Sequence, residues 1–333
     1  MTKFCKRIGS IVLLLSATGA ATVPIPASAQ VQTPRVADAP DTPFTRHGLL
    51  FKPWINGVSA GEPQMQVQRY DDDTYVIRQS IRTNFEGPFL YVLFGNDRAL
   101  LIDTGAGGLN VRPTIDRVIA EWAARHHLTS IPLVVAHSHS HGDHHQGDAE
   151  FQDRPDTTVV GLYPKEVADF FKIADWPNQI VPYDLGGRVL DVIPTPGHQS
   201  AHIMVFDRKT RLLFSGDSLG PYRLYIPMNE AKTYRDSIDR AADFTKDKHV
   251  SWILGAHIEM TTSFGELILD EAPSHPIEHV LEIAYSNLPE LQSALHVMGD
   301  HLVQQAHRDF VIFPQPAREQ QPFAPPTTPT PPR

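Results

Sequence analysis

Residues 137–148 read HSHSHGDHHQGD, placing five histidines and two aspartates in one short stretch. The preceding Ile131–Val135 has the pattern of a buried strand and runs straight into it. His139 and His141 lie two apart, so on an extended backbone they face the same way. Asp143 and His144 are adjacent and follow Gly142, where the chain can turn. They project differently, as from the first turn of a helix. A catalytic zinc takes imidazole nitrogen and carboxylate oxygen and keeps a position open for water. One loop of this kind can supply two neighbouring metal positions.

Around this loop, Met65–Tyr70 and Thr74–Gln79 alternate apolar and polar residues. Pro88–Phe94 and Ala99–Ile102 are more continuously apolar. Further strands are expected at 158–160, 189–193, 202–206, 211–214 and 252–254. Helices are expected where Val111, Ile115, Val118, Ile119 and Trp122 share a face, after Pro164, over Tyr234–Phe244, and in a region from Ile277 to Leu295. A leading run of strands that then mixes with helices indicates an α/β or α+β layered domain.

Downstream lie Thr195-Pro196-Gly197-His198, Ser215-Gly216-Asp217 behind the strand-like Leu212–Phe214, and Gly255-Ala256-His257 behind Trp252–Leu254. Upstream stands Leu101-Ile102-Asp103-Thr104-Gly105. His139-Ser140-His141-Gly142-Asp143-His144 fits H-x-H-x-D-H, and with the four flanking motifs in order the chain resembles the metallo-β-lactamase superfamily. A frame starting at His137 would need an aspartate at position 141, which is histidine. The resemblance implies a four-layer αββα sandwich with the metals at one edge. It implies that His139, His141 and His198 hold one divalent ion, that Asp143, His144 and His257 hold a second, and that Asp217 bridges them. The nucleophile would be a hydroxide between the ions. Zinc is the expected metal, with iron and manganese as alternatives. Asp103 would support the metal loop, and His202 would stand behind the ligands or in the pocket. His137 and His145 have no role in the motif: the first is expected to be a buried hydrogen-bonded side chain, the second a pocket residue. Asp148 is expected on a helix surface or loop.

The ends carry other information. Lys3, Lys6 and Arg7, the apolar run 11–15 and Ala27-Ser28-Ala29 read as a secretory signal peptide over 1–29, cleaved near Ala29. The expected location is therefore periplasmic or secreted. The apolar run is too short for a stable membrane span. The only cysteine, Cys5, leaves with this segment. Removing its three positive charges takes the formal net charge from −9 to −12. An acidic chain without a basic cluster is a poor partner for nucleic acid. Residues 30–47 read as a flexible lead-in and 48–313 as the folded domain. The segment 314–333 holds eight prolines and few apolar side chains, and reads as a disordered tail.

The expected activity is hydrolysis of a small ester, lactone, thioester or amide-like substrate. Aspartate at 217 weakens a β-lactamase reading, because the best-known β-lactamases of the superfamily carry cysteine or serine there. An iron-dependent oxidoreductase like the persulfide dioxygenases and a non-catalytic periplasmic metal-binding protein are the alternatives. Candidate pocket residues are Tyr222 and Tyr225, whose hydroxyls could donate to a developing oxyanion, and His275. Trp54, Met65 and Phe85 are candidates for an apolar rim. The sequence leaves the oligomeric state open.

Overall fold

Every side chain of Phe89–Phe94, FLYVLF, is buried, which requires that both faces of its sheet be covered. Its even and odd positions enter different cores. Phe89, Tyr91 and Leu93 join one apolar cluster, while Leu90, Val92 and Phe94 join another. The computed structural model describes residues 50–326; the expected signal segment and lead-in, and residues 327–333, lie outside it.

In chain order, β1 (Met65–Asp71), β2 (Thr74–Gln79), β3 (Phe89–Phe94), β4 (Ala99–Ile102), β5 (Leu133–Ala136) and β6 (Thr157–Val159) form a six-stranded sheet. The first four strands pair antiparallel, and β4–β5 and β5–β6 pair parallel. The second sheet is built from β7 (Val181–Asp184), β8 (Val189–Pro194), β9 (Ile203–Asp207) and β10 (Leu212–Gly216). After β11 (Arg223–Pro227), which belongs elsewhere, it is completed by β12 (Trp252–Gly255) and β13 (Glu282–Ile283). β14 (Gln305–Ala306) and β15 (Val311–Gln315) join β11 in a three-stranded sheet.

Three apolar cores separate four layers. Helix α1 (Arg112–Arg125) lays Ile115, Val118, Ile119 and Trp122 on the outer face of the first sheet. The two sheets bury Val76, Tyr91, Leu100, Val192, Val205 and Phe214 between them. After the short α2 (Gly142–His145) and α3 (Pro164–Phe171), α4 (Ala231–Thr245) and α5 (Asn287–Met298) cover the outer face of the second sheet, where Tyr234, Ile238, Leu288 and Leu291 meet Met204 and Leu213. The architecture is the αββα sandwich that was expected.

Three expectations change. The helical region expected from Ile277 to Leu295 is helical only from Asn287. Ile277 is 61% exposed, and Glu282–Ile283 instead pairs with β12. The apolar spacing over 277–281 mimicked a helix, but the pairing of Glu282 and Ile283 with the sheet edge leaves no room for one continuous helix there. Arg223–Pro227, which was not among the expected strands, is a strand parallel to β15. The tail is ordered well past 313: β15 runs to Gln315, and Arg318, Gln321 and Phe323 all hydrogen-bond to the domain. Low apolar content predicted disorder there, yet hydrogen bonds from backbone and amide side chains hold the segment.

Candidate metal centre

The candidate ligands sit just past the ends of strands in the two sheets. β5 delivers His139 and His141 directly, and α2 carries Asp143 and His144. His198 follows β8, Asp217 follows β10 and His257 follows β12. Local backbone conformations hold these turns. Asp103, just past β4, has φ 68°, a left-handed conformation that aspartate tolerates better than most residues. Its carboxylate accepts the Ser138 N–H (2.7 Å) and Ser138 hydroxyl (2.9 Å) and lies 2.9 Å from His144 Nδ1. Asp103 thus fixes both the entry and the middle of the histidine loop. Gly216 has φ 52°, and a Cβ there would come within 2.7 Å of His202 Nε2 and 2.8 Å of Ser138 Cβ. Only glycine lets Asp217 follow β10 this closely against the loop.

Two groups of donor atoms result. One is His139, His141 and His198; the other is Asp143, His144, Asp217 and His257. Within each, the donor atoms lie within 4.8 Å of one another. In the first, His141 Nδ1 is 3.0 Å from both His139 Nε2 and His198 Nε2. Neutral imidazole nitrogens at that separation need a proton or cation between them, and one proton on His141 cannot serve both neighbours. In the second, Asp143 Oδ2 lies 3.0 Å from His144 Nε2 and 3.2 Å from His257 Nε2. Asp217 stands between the groups. Its Oδ2 is 3.7 Å from His139, 3.5 Å from His144 and 3.5 Å from His198, and its Oδ1 is 3.4 Å from His257. Oδ1 is buried and has no hydrogen-bond partner among the described residues. A buried carboxylate oxygen without a donor is costly. The converging imidazoles and this orphaned oxygen fit a pair of divalent cations.

The two groups differ electrostatically. Burial, reinforced by neighbouring imidazoles, holds His139 well below its ordinary value and His141 down at about 4. Burial also lowers His198. In the second group burial acts the same way on the histidines but loses to the carboxylates. Asp217 and Asp143 push His257 up to about 10, and Asp143, Asp217 and Asp103 raise His144 well above its ordinary value. Burial alone would raise the two acids; the imidazoles of His144 and His257 keep Asp143 and Asp217 ionised.

Backbone carbonyls set the tautomers. His198 Nδ1 donates to Tyr225 O (2.8 Å) and His257 Nδ1 to Glu86 O (3.0 Å), which turns each Nε2 inward. His202 lies outside both donor groups. Its Nδ1 is 2.8 Å from Thr195 Oγ1 and its Nε2 accepts the Asp217 N–H at 3.2 Å, so it steadies the backbone of Asp217. His137 is buried with Nε2 2.8 Å from Asp148 Oδ1, which also accepts from Thr104 Oγ1 at 2.8 Å. Asp148, expected on a helix surface or loop, opens a short 3-10 turn and is half-buried, tied to His137 and Thr104. His145 is outside both donor groups and does not line the cavity.

A cavity of about 330 Å³ opens over the centre, reaching His141, Asp143, His198, Asp217 and His257. Tyr222, Tyr225 and His275 all line it, as expected, and so does Phe85. Their roles differ from the expectation. The Tyr222 hydroxyl donates to Gly216 O, which leaves it unfit as an oxyanion donor. His275 is held 2.9 Å from Glu278, the carboxylate that pairs with buried Arg78. Trp54 and Met65 pack into the cores and are absent from the cavity wall. The wall also holds Glu86, Glu259, Asp270, Glu271, Arg223 and Arg318. Burial raises Glu86 to about 7. Arg223 is neutralised by Glu259 (3.2 Å) and Asp270 (3.1 Å). No sequence pattern marks a carbonyl such as Tyr225 O or a distant residue such as Arg318.

A family model described as the metallo-beta-lactamase superfamily matches residues 84–250. The chain is 26% identical over 200 residues to an acyl-coenzyme A thioesterase of Bos taurus, covering 50% of this chain and 72% of that one. It is 33% identical over 112 residues to a hydroxyacylglutathione hydrolase of Rhizobium meliloti (strain 1021), covering 32% of this chain and 39% of that one. Among solved structures it is similar to a metallo-beta-lactamase from Pontibacter korlensis, with 18% identity, a TM-score of 0.47, and coverage of 70% of this chain and 99% of that one.

Proposed function

Because the chain belongs to the metallo-β-lactamase superfamily, we propose that it is a binuclear metal-dependent hydrolase of a small acyl compound: an ester, lactone, thioester or amide-like ring. The observation that carries this is Asp217, a mostly buried carboxylate whose Oδ1 is buried and orphaned, set among four imidazoles. His139, His141 and His198 would hold one ion, Asp143, His144 and His257 the other, and Asp217 would touch both. When bound, such ions polarise a substrate carbonyl and lower the pKa of coordinated water. The remaining work belongs to the chain. Asp143, kept ionised on the cavity wall, accepts a hydrogen bond from the attacking water and orients it. Tyr225 lines the cavity, and burial raises its phenol, so it stays a neutral hydrogen-bond donor to the substrate oxygen.

The relatives named as a thioesterase and a hydroxyacylglutathione hydrolase support acyl hydrolysis over redox chemistry. The wall argues for a substrate smaller and less anionic than a coenzyme or glutathione conjugate. Glu86, Glu259, Asp270 and Glu271 face Arg223, already paired, and Arg318. We also infer export, from the signal-like segment 1–29; no helix among the described residues is long and apolar enough to cross a membrane. The test is metal analysis followed by kcat/KM for lactones, carboxylic esters, thioesters, phosphodiesters and β-lactams at fixed metal loading. Two zinc ions per chain with acyl turnover is the expected result. Iron with oxygen consumption, or bound metal without turnover across the panel, would replace this reading.

A further inference from the structure

Residues 316–323 cross the rim of the metal centre. Gln321 Oε1 accepts from Ser140 Oγ at 2.8 Å and from Gln199 Nε2 at 2.9 Å. Ser140 stands between His139 and His141, and Gln199 follows His198. One amide oxygen therefore ties together the two loops that carry all three histidines of the first group. The orientation of the amides is determined. Gln199 Oε1 accepts the Ala201 N–H at 2.7 Å, so its Nε2 is left to donate, and two incoming donors require the oxygen of Gln321. The segment is pinned on both sides. Arg318 N–H donates to Asn229 Oδ1 (2.9 Å) while Asn229 Nδ2 donates to Arg318 O (3.0 Å), and Lys165 N–H donates to Phe323 O (2.7 Å). Upstream, β15 pairs with β11, whose Tyr225 carbonyl orients His198. On the strand side, a backbone bond from Ile203 N–H to Ser138 O at 2.8 Å also joins the two stretches. Gln321 closes the mouth side.

We propose that Gln321 is a positioning residue for the first metal group, which makes the C-terminal segment a working part of the site. The inference rests on the two-metal reading above. It is tested in the full chain with Gln321→Ala, Gln321→Glu and a truncation after Gln315 that leaves β15 whole. Zinc affinity is measured by competition with a chelating dye, the ligand field by the visible spectrum of the cobalt-loaded protein, and the fold by the melting temperature of the metal-free protein. Gln321→Ala and the truncation should weaken one of the two zinc ions by about 10–100-fold, the usual cost of losing a group that orients metal ligands. They should also alter the cobalt spectrum and leave the metal-free melting temperature almost unmoved. Gln321→Glu keeps an acceptor oxygen and should restore both affinity and spectrum. Wild-type affinity for both ions in Gln321→Ala, or a Gln321→Glu as impaired as the alanine variant, overturns this inference alone. A wild-type chain that binds no zinc overturns the metal reading and the inference together.

Discussion

Two buried charge clusters sit in this molecule, and they are finished to different degrees. Arg188 and Asp207, 2% and 0% exposed, lie 2.6 Å apart. Arg188 also donates to the carbonyls of Asp73 and Phe94 and to Thr74 Oγ1, and only its Nε is left over. Asp207 takes the Lys209 N–H and the Thr210 hydroxyl as well. Asp217, by contrast, meets four imidazoles at 3.4–3.7 Å and leaves Oδ1 without a donor. The first cluster fastens β8 and β9 to the first sheet and is nearly complete without help. The second leaves Oδ1 without a donor even though His144 and His257 carry protons beside it. A buried polar cluster that satisfies itself serves the fold, and one that does not is built for a ligand.

The sharpest way to break this contrast is to neutralise each acid in turn. Asp217→Asn should keep the fold, lose at least one metal equivalent and lower kcat/KM by at least about 10²–10³, the cost of removing one preorganised electrostatic group. Metal analysis and kinetics read it directly; two bound metals with full turnover would remove Asp217 from the centre. Replacing Arg188 with Met should do the reverse. It leaves Asp207 buried without its cation, which costs about 3–5 kcal/mol, seen as a lower denaturation midpoint, while zinc affinity per folded molecule is kept.

A smaller effect separates the two metal groups by pH. His257 is raised to about 10 in the folded metal-free chain, above its unfolded value of about 6.5. Its contribution to stability is complete below about 6.5 and disappears as pH rises through 10. Asp143 is lowered, so its contribution is present above about 4 and disappears as pH falls below that. Metal uptake runs the other way. At pH 7 zinc entering the second group must displace protons from His144 and His257, roughly two per chain, whereas His139, His141 and His198 are already neutral. Calorimetric titration in buffers of different ionisation enthalpy should show this release with one of the two binding events. Buffer-independent heats for both events would mean that the groups are electrostatically alike.

Much of this contrast was legible in the sequence, but unevenly. The strands Thr74–Gln79 and Ala99–Ile102 were bounded as they occur, because turn residues flank short apolar runs. The seven donor residues of the two groups were all named through the family resemblance, whose motifs fall in the short segments that follow strands. What could not be read is whatever depends on residues far apart in the chain. Arg188 and Asp207 carry no motif, and they matter because β8 and β9 bring them under Asp73 and Phe94. Gln321 looked like part of a tail because composition registers missing apolar surface and is blind to an amide that finds Ser140 and Gln199.

The least effect is expected at His137, and there the contrast is most easily confused, because a histidine in the metal loop looks like a ligand. Its Nε2 is taken by Asp148, its Nδ1 is buried without a partner among the described residues, and it is absent from the cavity wall. It belongs with the structural clusters, as a clip that holds the loop to the turn at 148–150. His137→Ala removes one partner from a buried pair but leaves Asp148 its bond from Thr104, so the loss should be limited to about 1–3 kcal/mol. Zinc content should stay at the wild-type value. His139→Ala should instead lose metal from the first group with less effect on the metal-free fold, since burying that imidazole among others is unfavourable to begin with. Paired metal analysis and denaturation of the two variants decides the matter: a His137→Ala chain short of a metal equivalent beside a fully loaded His139→Ala would mean that the ligand frame begins two residues earlier than proposed.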